Sequence, residues 1–436
     1  MTKSALIPAE APAFEGVDAD LVVRSALFLA VFLSAWISFH PFASLAEPPL
    51  QITEEIDRTK EIGFSFLFVL LALWSMFHGA GRMKVLLRPV MIATLIWCGL
   101  SVLASWQPSL AASRFAVTLG NMGMAAMVLL LPRNTRHFCD LMAAAVLFVL
   151  VVCYLGVLLT PQTAVHQATD FLEPEHAGSW RGVFDHKNIA GAVMAQFIFV
   201  GLLVARVRSQ LLGMTIVVFA AIFMIFAQSK TAIGILPLVL IVSAVFEHTR
   251  RPLVTIALAI AVLIAQNSFS VGSVYFEPLH NLIDSIMPDP SFTGRTDIWQ
   301  FAVQHLAQRP IIGYGFAAFW GTAQVVYGLA GTSNWANSAT DAHNDYLDIA
   351  LAIGIPGLVL VIVLIVVLPL VDYFRARAVH EPDSDPVKLF FLRVCLFAIY
   401  ASCYETALFM HVGGPRFLSI AAVFGIRYLS VYRPAV

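Results

Sequence analysis

Long apolar stretches, each closed by a short polar turn, run almost the whole length of the chain. Runs of roughly 17–25 apolar residues mark helices that cross a bilayer. They fall at about 21–41, 61–79, 89–106, 115–132, 141–160, 188–205, 211–229, 231–246, 253–269, 345–371, 389–410 and 417–432. The pattern predicts an all-α polytopic membrane protein of about twelve transmembrane helices. Two connections, 161–187 and 270–344, are long. Long connections in compact proteins usually carry function. The second has room for surface helices between spans nine and ten. Inside it, Thr296 to Leu306 places Ile298, Phe301, Ala302 and His305 on one helical stripe, with Thr296 as the predicted N-cap. Arg309-Pro310 stops that helix and Gly313-Tyr314-Gly315 forms a turn. The chain divides into a disordered tail (1–20), a first block of spans (21–269), the long loop (270–344) and a last block (345–436).

Composition agrees. Of 436 residues, 59% are hydrophobic and 12% are charged, and mean hydropathy is +0.82. A soluble domain carries about 25% charged residues, so a water-soluble fold is excluded. The net charge of −1 excludes a strongly basic nucleic-acid binder. Charge also orients the spans. Arg82 and Lys84, Arg133 and Arg136, Arg206 and Arg208, Arg250 and Arg251, and Arg375 and Arg377 fall in alternate short loops. The positive-inside rule puts those loops and both termini in the cytoplasm and the 270–344 loop outside. Acidic Glu10, Glu15, Asp18 and Asp20 precede the first apolar run, unlike the basic start of a signal peptide. The five cysteines fall in spans or at an inner loop, and their spacing predicts neither a disulfide nor a structural metal.

The unusual polar residues gather on the outer side. Arg181, Asp185, His186, Lys187 and Asn188 open span six, and Ser229, Lys230 and Thr231 form the turn before span eight. Arg295 lies in the long loop, and Asp341, His343, Asn344 and Asp345 open span ten. Glu405 is read within the outer half of span eleven, where an intramembrane acid defaults to a functional role. Singly, each has a structural reading: a polar helix start, a snorkelling lysine, or a surface pair of Arg295 with Asp297. Their convergence carries the case. Several cations and a histidine at a lipid–water boundary suit a lipid-linked phosphate or diphosphate, since guanidinium binds phosphate oxygens and imidazole takes a hydroxyl proton near neutral pH. No HExxH, GxSxG or Walker loop is present, so ATP is not the expected energy source.

Four stretches carry a family likeness. They are Arg181-Gly182-Val183-Phe184-Asp185-His186-Lys187-Asn188 with Gly191; Ser229-Lys230-Thr231; Gly294-Arg295-Thr296-Asp297-Ile298-Trp299 running to Arg309-Pro310-Ile311-Ile312-Gly313-Tyr314-Gly315; and His343-Asn344-Asp345-Tyr346-Leu347 with Gly354, Pro356 and Gly357. In this order the chain resembles the O-antigen ligase/polymerase family over about 178–360. Within that family, His186-Lys187-Asn188, the Gly-Tyr-Gly turn and Glu405-Thr406 look most like exopolysaccharide polymerases. The resemblance implies a metal-independent, inverting glycosyltransferase of the bacterial inner membrane, with no cofactor and with its active site facing the periplasm. The donor would be an oligosaccharide on undecaprenyl diphosphate. The other partners would be the bilayer and polysaccharide export or assembly proteins, with no nucleic acid. The family pattern of two arginines and a histidine falls on Lys230, Arg295 and His343. Lys230 departs from the usual arginine, keeping the charge and losing the two-pronged donor. Arg295 and His343 would be catalytic. Lys230, Arg181, His186, Lys187, Asn188, Asp345, Tyr346 and Glu405 would line the diphosphate or glycan site. The acceptor is a lipid-linked repeat unit in a polymerase and the lipid A core in a ligase. A reading of another class is a twelve-span secondary transporter. Transporters place their polar groups near mid-membrane in broken helices, and here mid-membrane is almost bare.

Overall fold

The computed structural model describes residues 18–38, 40–46, 58–171, 173–249, 251–286, 292, 294–322, 325, 339–379, 385–408, 410 and 414–432. Residues 1–17 of the predicted tail and parts of the long loop lie outside the described residues. The described chain is helical, apart from one isolated antiparallel bridge between Val165 and Trp180. A helix lies on every predicted span: α1 (Ala19–Trp36), α2 (Arg58–His78), α3 (Pro89–Leu103), α4 (Pro108–Val128), α5 (Thr135–Leu159), α6 (Lys187–Val207), α7 (Gln210–Ala227), α8 (Lys230–His248) and α9 (Pro252–Phe269). In the long loop come α10 (Glu277–Ile286) and α11 (Arg295–Gln308). Then follow α12 (Asp345–Val361, continued through a π-helical turn Ile362–Val367 into Leu368–Val379), α13 (Asp385–Ala401) and α14 (Pro415–Leu429). Among the described residues, seven helices are long and apolar enough to cross a membrane, with Ile62–His78 and Pro89–Leu103 shorter but apolar.

Local chemistry sets the helix starts. Proline occupies the first turn of α3, α4, α9 and α14, where its missing N–H is no loss. Side chains of Asn134, Ser209 and Asn344 accept the free N–H groups that open α5, α7 and α12. Asp18 caps α1, and Arg133 pairs with Asp18 and Asp20 at 2.6 and 2.7 Å, so the end of the predicted tail is ordered. At the α6–α7 crossing a side chain on Gly213 would collide with the Gly201 carbonyl, so two glycines let these backbones touch. α6 is the most enclosed candidate span and packs on α5, α7 and α13, while α14 packs on α4, α12 and α13. Outward-facing Phe77, Leu211 and Leu253 are more than four-fifths exposed, which suits a lipid-facing surface.

Two predicted boundaries shift. The eleventh span ends at Ala401 instead of near residue 410, because tertiary partners take the polar groups of the next turn. Asn344 Nδ2 donates to the Cys403 carbonyl (3.0 Å), Arg295 to that of Tyr404, and the Asp345 carboxylate accepts from the N–H of Leu408 (2.6 Å) and of Ala407. Glu405 therefore sits in a turn beyond the helix. Helix α11 begins at Arg295 behind Gly294, whose φ of 80° opens the turn, so Thr296 is an interior residue rather than the cap.

The Gly-Tyr-Gly turn has a structural partner. In α12, Gly354 adopts φ 73° and Pro356 has no N–H to offer the Ala352 carbonyl, so the helix kinks. Tyr314 N–H takes the Leu351 carbonyl (2.8 Å), Gly315 N–H that of Ala352 (3.0 Å), and Ile355 N–H turns to Pro310 (2.7 Å). A side chain at Gly354 would strike the Ile311 carbonyl. Two motifs distant in sequence thus satisfy each other's backbone, and this fixes α11 against the top of α12.

Candidate active site

Glu405 lies where the first turns of α6, α8 and α11 meet the segment that opens α12. Its Oε1 accepts from Arg295 Nη2 (2.9 Å), Asn188 Nδ2 (3.1 Å) and Thr231 Oγ1 (3.4 Å). Its Oε2 stands 3.6 Å from His343 Nδ1. Helix N-termini carry partial positive charge and unpaired N–H groups, so their convergence suits anions. Burial pushes the Glu405 carboxyl up, but the charge of Arg295 and the His343 contact outweigh it and hold the group ionised, below the usual carboxylate range.

His343 is built with care. Its φ of 47° is unusual for a residue with a side chain, and such conformations cost of order 1–3 kcal/mol and cluster at functional sites. Neighbouring bonds impose it. The His343 N–H donates to Asp341 Oδ1 (2.8 Å), Trp299 Nε1 donates to the Ala342 carbonyl (2.9 Å), and buried Asp348 accepts from Ala342 N–H (3.0 Å) and Trp320 Nε1 (2.6 Å). Nδ1 faces Asp341 (3.4 Å) and Glu405 (3.6 Å) without a tight hydrogen bond. Burial lowers the imidazole pKa, yet the two carboxylates overcome it and leave His343 above its ordinary value. With Nδ1 turned to two carboxylates, Nε2 is the nitrogen left for chemistry, and the side chain is about a third exposed.

Lys187 and Lys230 complete the electropositive side. Lys187 feels both the charge of Lys230 and that of Glu405. Among the described residues, neither ammonium has a hydrogen-bond or ion-pair partner. Of the ten residues singled out from sequence, Arg295, His343, Glu405, Asn188, Lys187 and Lys230 come together here. The others are engaged elsewhere. The Asp345 carboxylate holds the 402–408 turn through Ser402 Oγ (3.1 Å) and two backbone N–H groups. The Tyr346 hydroxyl donates to the Ile399 carbonyl (2.8 Å). Buried Arg181 donates to the carbonyls of Phe184 (3.2 Å) and Ala43, tying the 161–187 connection to the end of α1.

His186 belongs to a second cluster. Its Nε2 lies 2.7 Å from Glu173 Oε2, and its Nδ1 accepts the Asn188 N–H (3.1 Å) to cap α6. The His166, His176 and His186 rings lie 5.3–5.9 Å apart. Glu173, His176 and His186 offer ligand atoms within 4.8 Å of one another, a spacing a metal ion could bridge. The donor set argues against it. With its Nδ1 lone pair on the Asn188 N–H, His186 turns an Nε2–H to Glu173 and has no electron pair to give a metal. His166 is spent likewise, Nδ1 on Asp170 (2.8 Å) and Nε2 on the Lys187 N–H (3.3 Å).

Sequence reasoning did not single out Asn267, Asp348, Glu173 or His176. Asn267 Oδ1 accepts from Asn344, and its amide reaches Cys403 Sγ (both 3.1 Å). Asp348 carried a readable signal, an acid three residues into an apolar run. Glu173, His176 and Asn267 carried none.

A multi-helix membrane fold with an anion-ready cluster at one end of its bundle is the class these observations define. Residues 193–362 match the family model described as O-antigen ligase, which supports the likeness to the O-antigen ligase/polymerase family. That family implies ligase or polymerase activity in glycan assembly, and the apolar helices fit a multi-pass membrane protein. Among the curated proteins searched, none matches the chain. The matched stretch holds Lys230, Arg295 and His343, while Asn188, Lys187 and Glu405 lie outside it.

Proposed function

We propose that the protein is an inverting, metal-independent glycosyltransferase of the bacterial inner membrane that joins undecaprenyl-diphosphate-linked glycans on the periplasmic side, acting as a repeat-unit polymerase. The observation that carries this reading is the Glu405 cluster, which holds a cation and an imidazole side by side, with two ammonium groups nearby that have no partner among the described residues. The acceptor hydroxyl oxygen attacks the anomeric carbon and the bond from that carbon to the diphosphate oxygen breaks. The hydroxyl proton passes to His343 Nε2, and the lipid diphosphate leaves as an anion. Lys230, Lys187 and Arg295 neutralise the charge growing on the leaving group, where preorganised donors act most strongly. Glu405 keeps Arg295 and His343 in place and, with Asp341, raises the basicity of His343. Arg181, Asp345 and Tyr346 support the site through the backbone they hold.

The purified full-length protein, given a single lipid-linked repeat unit and no other acceptor, should make longer lipid-linked glycans. A requirement for added lipid A core would replace the polymerase by a ligase. No transfer to either acceptor by a folded protein would remove the enzymatic reading.

A further inference from the structure

The far end of the α12 column holds a second charged centre. Asp372, 2% exposed, receives Arg88 Nη2 at 2.6 Å, with Arg375 Nη1 and Arg427 Nη1 each at 3.7 Å from the same oxygen. One carboxylate balances one guanidinium, so among the described residues three arginines around it leave an excess of positive charge. Among the described residues Arg427 otherwise reaches the Val85 carbonyl (3.1 Å) and Ser430 Oγ (3.2 Å), and Arg375 is 61% exposed. Along its kinked path the column from Asp345 to Asp372 is at most about 40 Å long at 1.5 Å per residue, enough to cross a ~30 Å hydrocarbon core. The arginine centre and the Glu405 cluster therefore face opposite membrane surfaces.

An open apolar cleft leads away from the arginines into the bundle. Arg88, Asp372 and Arg427 line its mouth. It adjoins a second, narrow and almost wholly apolar hollow, and Met91, Leu364, Val423 and Phe424 wall both. Leu364 and Ile365 belong to the π-helical turn of α12, a wider turn often found at functional sites. Along α14 the cleft runs from Arg427 to Ser419, about 12 Å by helical rise. That is close to half of a ~30 Å hydrocarbon core.

We propose that this cleft binds one anionic phospholipid of the leaflet opposite the Glu405 site. Its phosphate lies on Arg88, Arg375 and Arg427, and one acyl chain lies between α3, α12 and α14. Basic pockets between transmembrane helices on the cytoplasmic side bind such headgroups, and guanidinium is the preferred donor to phosphate. The apolar continuation separates a lipid from a free anion, and the surplus charge separates an anionic lipid from a zwitterionic one. The site stands apart from the transfer reaction.

The test is thermal unfolding of the purified full chain in detergent with added phosphatidylglycerol, phosphatidylcholine or inorganic phosphate. Phosphatidylglycerol should raise the midpoint in a saturable way, and the other two should not. Arg375→Gln, at an exposed position that tolerates change, should weaken the phosphatidylglycerol effect about tenfold in concentration, the loss of one charge-assisted contact. Arg427→Gln should act in the same direction. An equal shift with phosphatidylcholine would show apolar filling alone, and an equal shift with phosphate a free-anion site. A phosphatidylglycerol effect unchanged in both variants would likewise overturn the proposal.

Discussion

Glu405 and Glu173 are both acids in connecting segments, and both gather basic side chains around the start of α6. They differ in what is left over. Around Glu173 the imidazoles are consumed by one another's surroundings: His186 caps α6 and donates to Glu173, and His166 serves Asp170 and the Lys187 N–H. The His186 hydrogen bond comes first in holding the Glu173 carboxyl down at about 2. Around Glu405 the acid binds Arg295 and faces His343, while His343 Nε2, Lys187 and Lys230 keep unused valence among the described residues. A gathering of charge becomes a candidate site only where some groups stay unspent. The first cluster is a brace for the N-terminus of α6, and the second uses that brace to present Asn188 to Glu405.

The largest expected effect falls on the Glu405 cluster. Arg295→Ala and His343→Ala should each lower the transfer rate by about 10²–10³, measured with lipid-linked donor at equal levels of membrane-inserted protein. Glu405→Gln should act in the same direction, since it removes the charge that holds both. Normal polymer length from Arg295→Ala would deny the cluster any role. Lys230→Ala should be impaired less severely, with Lys187 remaining beside it. Lys230→Arg keeps the charge and adds a two-pronged donor, so transfer should persist or rise.

A pH profile sharpens the comparison further. A base works deprotonated, and His343 is raised above about 6.5 by Glu405 and Asp341. The acidic limb of the rate should therefore lie above that value, with activity growing as pH rises through it. Asp341→Asn removes one carboxylate and should move the limb to lower pH. An unchanged limb would take His343 out of the role of base.

The Glu173 cluster should respond least. Transfer should survive EDTA, and His176→Ala should keep most of the activity at neutral pH. One equivalent of zinc bound by the wild type and lost in His176→Ala, with activity falling alongside, would break the contrast drawn above. Glu173 is depressed on folding, so its stabilisation is present above about pH 4.5 and fades as pH falls toward 2. Hydrogen exchange at the start of α6 should quicken over that window, and Glu173→Gln should abolish the dependence.

The apolar runs by themselves determined where the helices lie, because burial in lipid demands a length that local sequence records. They also put most of the candidates at helix starts or in turns, while Glu405 was read inside span eleven and lies in a turn beyond it. Even the Gly-Tyr-Gly and Gly354-Pro356 motifs were visible, though not that each completes the other's hydrogen bonds. Tertiary structure alone decided that α13 stops at Ala401, that Glu405 stands between Arg295 and His343 while Asp345 holds the 402–408 turn, and that Glu173 meets both His176 and His186. The bonds responsible join residues far apart, 110 positions for Arg295 with Glu405 and 217 for Asn188 with Glu405. Periodicity and capping are properties of neighbours along the chain. Which acid meets which cation depends on how the helices pack, and no local pattern in the sequence encodes that.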